Sequence, residues 1–338
     1  MYRFLITFLC LACLDTAQGQ EIEKLDPALD QIVASDAVVE TAATGFAFTE
    51  GPIWMKASYL LFTDVPGNVI YKLQDGKATV FMLNAGYTGP DMWRYGGMND
   101  NAYAPGDPRY EEFPMIGADG LTRDRQDRLI IATFAGRSIV RIEKNGVRTV
   151  LADNYQGKKF SGPNDVVVKS DGAIYFTDTF GGLRLRAKDP KVEIPYNGLY
   201  MWKDGKVSLL LHGDMQNLNG LAFSPDEKYL YLNGSADNYV NRYEVKPDDT
   251  IANGKLLFDM RQDKRPGVAD GMRVDSAGNI YETGPGGVWI VSPTGKHLGT
   301  ISAPQRPINI GFGDADMKTL YMACHTAVYK IRLKLPGL

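Results

Sequence analysis

The chain has 338 residues, 44% of them hydrophobic and 23% charged, a composition ordinary for a water-soluble globular protein. Its formal net charge is −3 and no Lys/Arg block stands out, which argues against a nucleic-acid or anionic-membrane partner. The 36 Gly, 18 Pro and 18 Tyr suit many tight turns between short strands, and so an all-β class.

Residues 1–19 read as a signal peptide: Arg3 supplies a positive charge, Phe4 to Leu14 form a short apolar run, and Ala17-Gln18-Gly19 fits a small-x-small cleavage site. The run is too short to span a bilayer, so no stable membrane insertion is expected. Cys10-Leu11-Ala12 before Cys13 matches a lipoprotein site poorly. Either route exports the chain, to a periplasm or to the medium. Removal of the segment leaves Cys324 alone, so the mature chain has no internal disulfide and depends on its core. Residues 20–36 read as a lead segment, with a short helix expected over Pro27 to Ala34.

From residue 37 to about 335 one pattern recurs: a polar residue, a small residue or turn, an apolar strand, an Asp/Gly turn and a second strand. Its copies begin at Glu50, Asp119, Asn164, Asn219, Asp270 and Asn309. The intervals of 69, 45, 55, 51 and 39 residues centre on the blade length of a β-propeller, with an insertion in the first. Third strands such as Val69–Leu73 and fourth strands such as Val207–Leu211 complete four-stranded blades. The sixth copy ends at Ala327–Arg332 without a fourth strand, and Ala37–Thr41 belongs to no other blade. The expectation is a six-bladed β-propeller closed by this N-terminal strand, which removes exposed sheet edges. A stack of β-sandwiches would show turn spacing without the full recurring motif.

The insertion, about residues 84–117, carries Trp93, Arg94, Tyr95, Tyr103, Arg109, Tyr110 and Phe113 with no helix or strand period. Loops of this length are usually functional. It is read as a lid over the face where the inner strands begin, with Trp93 and Arg94 as substrate contacts; a loop merely covering the propeller edge is the competing reading.

Each motif's first residue stands at the start of an innermost strand, so all six point to the axis at one end. Glu50, Asp119 and Asp270 would repel one another there without a cation. Carboxylates mixed with amide oxygens suit a hard divalent ion, Ca²⁺ first, with Zn²⁺, Mg²⁺ or Mn²⁺ as alternatives. Asp-Gly and Asn-Gly are also common turn dipeptides, but six equivalent positions opening with a Glu favour the metal reading. His325, at the end of a second strand on the same face, is a further substrate-side candidate, although a lone His at a rim is often incidental.

Glu50-Gly51-Pro52-Ile53-Trp54, Pro163-Asn164-Asp165-Val166-Val167, Asn219–Asp226 and Asp270-Gly271-Met272, with Tyr175–Asp178 and Gly286–Trp289, resemble the signature segments of the gluconolactonase/regucalcin family. The resemblance implies a six-bladed propeller with a divalent cation at the top of its tunnel, and assigns ligands to Glu50, Asn164, Asn219 and Asp270. It implies hydrolysis of a small-molecule sugar lactone, with Asp270 as base or nucleophile. Asn164 and Asp119 are the motif residues read as substrate-side candidates. Asp119 departs from the Asn more usual in the family; it reads either as a negative charge near the pocket that tightens metal binding or as a turn residue. Another ester or phosphotriester hydrolase on the same metal site, or a non-enzymatic ligand-binding propeller, remains open; a strictosidine-synthase-like propeller does not need this quartet. Oligomeric state is not legible.

Overall fold

A computed structural model describes residues 21–100, 105–108, 110–213 and 215–338. The residues of the signal-peptide reading, and Tyr103 and Arg109 of the insertion, lie outside these. The chain forms six blades of antiparallel strands around one axis, as expected, with only short 3₁₀ turns in place of helices among the described residues. The inner strands are Thr49–Met55, Leu121–Arg123, Pro163–Val168, Leu218–Phe223, Met272–Val274 and Pro307–Gly313.

Blades stack face to face, so both faces of a middle strand are buried and its sequence reads as a continuous apolar run. In blade three, Ile174 and Phe176 pack with Ile130 of blade two, whereas Tyr175 between them turns to Leu221 and Leu230 of blade four. This is the period-2 alternation of a strand used against two neighbours. Each fully buried Leu, Ile or Phe contributes about 1.5–3 kcal/mol. Burial fades outward: Leu60, Leu61 and Phe62 of blade one are inaccessible, while the outermost strand Lys77–Leu83 is largely exposed.

The outermost strand of blade six is Glu40–Thr44, antiparallel to Ala327–Arg332 with Glu40 opposite Lys330. It begins three residues later than the apolar run starting at Ala37 suggests, and Val38 is exposed. The lead segment carries more structure than its sequence indicates. Ile22–Lys24 adds a fifth strand to blade five by pairing with His297–Ile301. A 3₁₀ turn, Pro27–Gln31, follows; it is capped by Asp26, which accepts a hydrogen bond from the Ala28 amide.

The insertion is not structureless, which corrects the sequence reading. It holds a 3₁₀ turn at Met92–Arg94 and a hairpin of Met98–Asp100 with Glu112–Pro114. Strands of three residues are too short to leave a period. The insertion reaches past blade two and docks on the loop after Asp178 of blade three. The Gly96 and Gly97 amides donate to the Gly182 and Gly181 carbonyls at 2.9 and 2.7 Å, and Arg186 donates to the Met98 carbonyl at 2.6 Å. At its root Asn68 donates to the Tyr87 carbonyl and accepts from the Gly86 amide, both at 2.8 Å.

Candidate active site

Four of the six inner strands are irregular where the motif's polar residue sits, with register shifts between Glu50 and Ile53, Pro163 and Val166, Leu218 and Leu221, and Pro307 and Asn309. Such bulges re-aim a side chain out of the ladder. The glycines that follow Asn219 and Asp270 have a packing reason. A Cβ on Gly220 would lie 2.0 Å from the Asp270 carbonyl oxygen, and one on Gly271 2.1 Å from Asn309 Oδ1. Glycine therefore lets neighbouring inner strands close on the axis.

A second recurring contact, not anticipated from the sequence, ties the blades together at this level. The hydroxyls of Thr63, Thr177 and Thr283 donate to the carbonyls of Asp119, Asn219 and Ile308, and Asn233 donates to that of Asp270. Each donor sits near the end of a second strand and reaches the next blade's inner strand. Asp64 and Asp178, one residue beyond two of these donors, accept backbone amides from Ala47 and Phe48, and from Ser161 and Gly162. They fix the approach to the inner strands, and neither lines the cavity.

The bulged ends surround a cavity of about 250 Å³. Glu50, Asp119, Asn164, Asn219 and Asp270 all line it. Asn309, the sixth motif residue, lies behind Glu50 and donates to its Oε2 at 2.8 Å, alongside the Gly51 amide. Asn164 donates to Asp119 at 2.8 Å, and Asn219 donates to Ser235 Oγ at 2.8 Å. With the amide nitrogens committed, the amide oxygens of Asn164 and Asn219 meet no donor among the described residues. Behind Asp270, Glu282 Oε1 accepts from the Asp270 amide at 3.1 Å and from Asn233 at 2.8 Å.

The electrostatics are costly. Burial, followed by repulsion from Asp119 and Asp270, holds the Glu50 carboxyl well above the usual carboxylate range. Asp119 is raised in the same way, by burial and then by Asp270. Asp270 is pushed up to about 7 by burial, against the opposing pull of the Arg306 guanidinium. Charged and amide oxygens without thiolate or imidazole are a donor set for a hard divalent ion, whose charge would offset this repulsion. Among the described residues no three His, Cys, Asp or Glu side chains converge as a metal cluster, so the fit rests on the amides as much as the acids.

Three of the sequence candidates fall elsewhere. Trp93 is 66% exposed and stacks with Arg94, whose guanidinium carbon is 4.6 Å from its ring; neither lines the cavity. The insertion contributes Asn99 and Met115 instead. His325 is buried behind the wall residue Phe48, edge-on at 5.1 Å, with neither ring nitrogen hydrogen-bonded. Burial, and next the Arg306 charge, push it down to about 4. The sequence reading passed over Arg306, three residues before Asn309, and Arg186, in the loop that receives the insertion; both line the cavity. Arg306, like the other lining residues Asn217 and Val268, stands two or three residues upstream of a motif residue, whereas no such pattern marks Arg186.

Residues 48–326 match the SMP-30/gluconolactonase/LRE-like region. The chain belongs to this family. All six axial motif residues of this SMP-30/gluconolactonase family member fall inside the matched span. It is 31% identical to a gluconolactonase of Zymomonas mobilis over 94% of this chain and 87% of that protein. A Xanthomonas campestris gluconolactonase shares its fold at a TM-score of 0.76 and 23% identity, covering 94% of this chain and 96% of that one. A calcium-binding protein, regucalcin, from Agrobacterium tumefaciens does so at 0.66 and 18% identity, covering 88% and 95%.

Proposed function

We propose that this chain is an exported lactonase that opens a sugar lactone using a divalent cation, Ca²⁺ first, held by Glu50, Asn164, Asn219 and Asp270. The observation that carries the reading is the gathering of these four side chains on one axial cavity in a chain homologous to gluconolactonases. Homology supports lactone hydrolysis. Metal dependence is supported by the donor set and by the calcium-binding relative. Export is supported by the signal-peptide pattern of residues 1–19, and no helix among the described residues is long and apolar enough to cross a membrane.

When bound, the ion would polarise the lactone carbonyl and stabilise the negative charge that develops on its oxygen. Asp270 either takes the proton from the attacking water or attacks the carbonyl itself. Its backbone is fixed by Glu282 and Asn233, which keeps the carboxylate at a set place over the cavity. Phe48, Met115, Phe134 and Val268 form the apolar part of the wall and limit competing water. Asp119 holds the Asn164 amide nitrogen, which leaves that residue's oxygen for the ion.

Proton release from a panel of aldonolactones, glucono-1,5-lactone first, tests this before and after chelation and Ca²⁺ re-addition. Hydrolysis lost on chelation and restored by the ion is the expected result. Release no faster than the spontaneous rate, with metal bound, would reject the sugar-lactone reading in favour of esters, phosphotriesters or simple binding.

A further inference from the structure

The cavity has two kinds of lining. Its carboxylates and two of its amides, Asn164 and Asn219, come from the entries to the inner strands. Its two cations, Arg306 and Arg186, come from the loops around them. Arg306 stands immediately before the inner strand of blade six, and Arg186 lies in the loop after the second strand of blade three. In a closed ring of six blades these two blades face each other across the axis, so the guanidinium groups approach the mouth from opposite sides.

Neither arginine has a carboxylate partner within ion-pairing distance among the described residues. Arg186 donates to a neutral acceptor, the Met98 carbonyl. Arg306 makes no hydrogen bond at all among them, and its buried Nε has no acceptor. The contrast with Arg273, at the far end of the same tunnel, is direct: its guanidinium lies 3.9 Å from the buried carboxylate of Asp165. A guanidinium carries five donors in a planar fork matched to carboxylate, phosphate or sulfonate oxygens. Leaving a buried donor unpaired is costly, so an arginine aimed into a cavity without an acceptor is set up for one that arrives with the ligand.

We infer that Arg306, assisted by Arg186, makes this site selective for sugar lactones that carry an anionic substituent away from the ring ester. This rests on the lactonase reading and narrows its substrate class. The carboxylate and amide end of the cavity takes the ester, and the guanidinium groups take the acid at the other end of the ligand. A neutral lactone would leave Arg306 unpaired and lose that part of the binding.

Two measurements test it. In the first, kcat/KM is compared for glucono-1,5-lactone and its 6-phosphate, in the wild type, Arg306→Gln and Arg306→Lys. The wild type is expected to prefer the phosphate at least about tenfold, Arg306→Gln to remove most of that preference, chiefly through KM, and Arg306→Lys to keep part of it. Equal kcat/KM for the two lactones in the wild type, or an equal loss on both in Arg306→Gln, would overturn the inference. The second measures binding of glucitol and glucitol 6-phosphate, neither of which contains a lactone, by calorimetry. Tighter binding of the phosphate that Arg306→Gln abolishes supports the inference even if no lactone is turned over, a result that would sink only the lactonase reading. Equal binding of the two by the wild type would overturn it.

Discussion

The six inner strands run from one end of the tunnel to the other, and their two ends are built on opposite principles. At the cavity end stand Glu50, Asp119, Asn164, Asn219 and Asp270, on bulged or irregular backbone with glycine beside most of them. Three or four residues further along, the same strands present Ile53, Thr122, Val168, Phe223, Val274 and Phe312 around the other mouth, where the exposed Leu338 also lines the opening. The second end mixes these side chains with charged residues at its rim, and there the buried acid Asp165 has an arginine, Arg273, 3.9 Å away. The first spends stability on buried acids, Glu50, Asp119 and Asp270, none of which forms an ion pair among the described residues, although the Arg306 charge eases Asp270. One set of strands can thus be optimised for packing at one end and for chemistry at the other, because a period-2 strand lets each residue be chosen separately.

The largest expected effect lies at the cavity end. Asp270→Asn should reduce turnover about 10³-fold while leaving a folded protein, because it removes the base or nucleophile but keeps the side chain's shape. Chelated Asp270→Asn should also melt above chelated wild type, since a buried repulsive charge is gone. Lactone assays with thermal melts check both; a variant keeping most of its rate would remove Asp270 from the chemistry.

Gly220→Ala should cost about 3 kcal/mol, because its new methyl meets the Asp270 carbonyl oxygen and the neighbouring strand has to move. At the opposite mouth, Ile53→Val should cost about 1 kcal/mol. Urea unfolding of the two variants side by side measures the difference between the two ends. Equal costs would mean that the close approach at the cavity end is not a constraint.

A third effect belongs to the wall behind the cavity. His325 is held down at about 4, against an ordinary value near 6.5. Its neutral form is favoured in the fold, so this contribution is complete above about pH 6.5 and is lost as pH falls through about 4. The loss amounts to at most about 3 kcal/mol. The charges acting on it are Arg306, which lowers its pKa, and Asp100, which opposes that. Unfolding free energies at pH 7 and pH 4 should therefore differ less in His325→Gln than in the wild type. Parallel behaviour would assign the acid limb to other groups.

The architecture was legible because repetition exposes it: six copies of one motif, with the polar residue at the same place in each, specify both a ring and an axis. The five cavity-lining motif residues could be named for the same reason. The insertion was not legible in this way. It occurs once, its strands have three residues each, and its anchors, the Gly96 and Gly97 amides and the Arg186 guanidinium, join it through backbone to a loop of blade three about 90 residues on in the chain. Trp93 and Arg94 looked like ligand contacts on residue type alone, and residue type does not say which side of a loop faces inward.

The sequence by itself determined the blade count, the inner-strand positions and the end of the axis that carries acids, since strand period and motif spacing are local properties of the chain. Tertiary structure alone decided which side chains meet. Asn309 stands behind Glu50, and His325 turns into the wall. Ile22–Lys24 finds blade five, and Arg306 and Arg186 come to line one cavity. These placements join residues far apart in the chain, set by ring closure and by the packing of one blade on the next, and no local pattern encodes them.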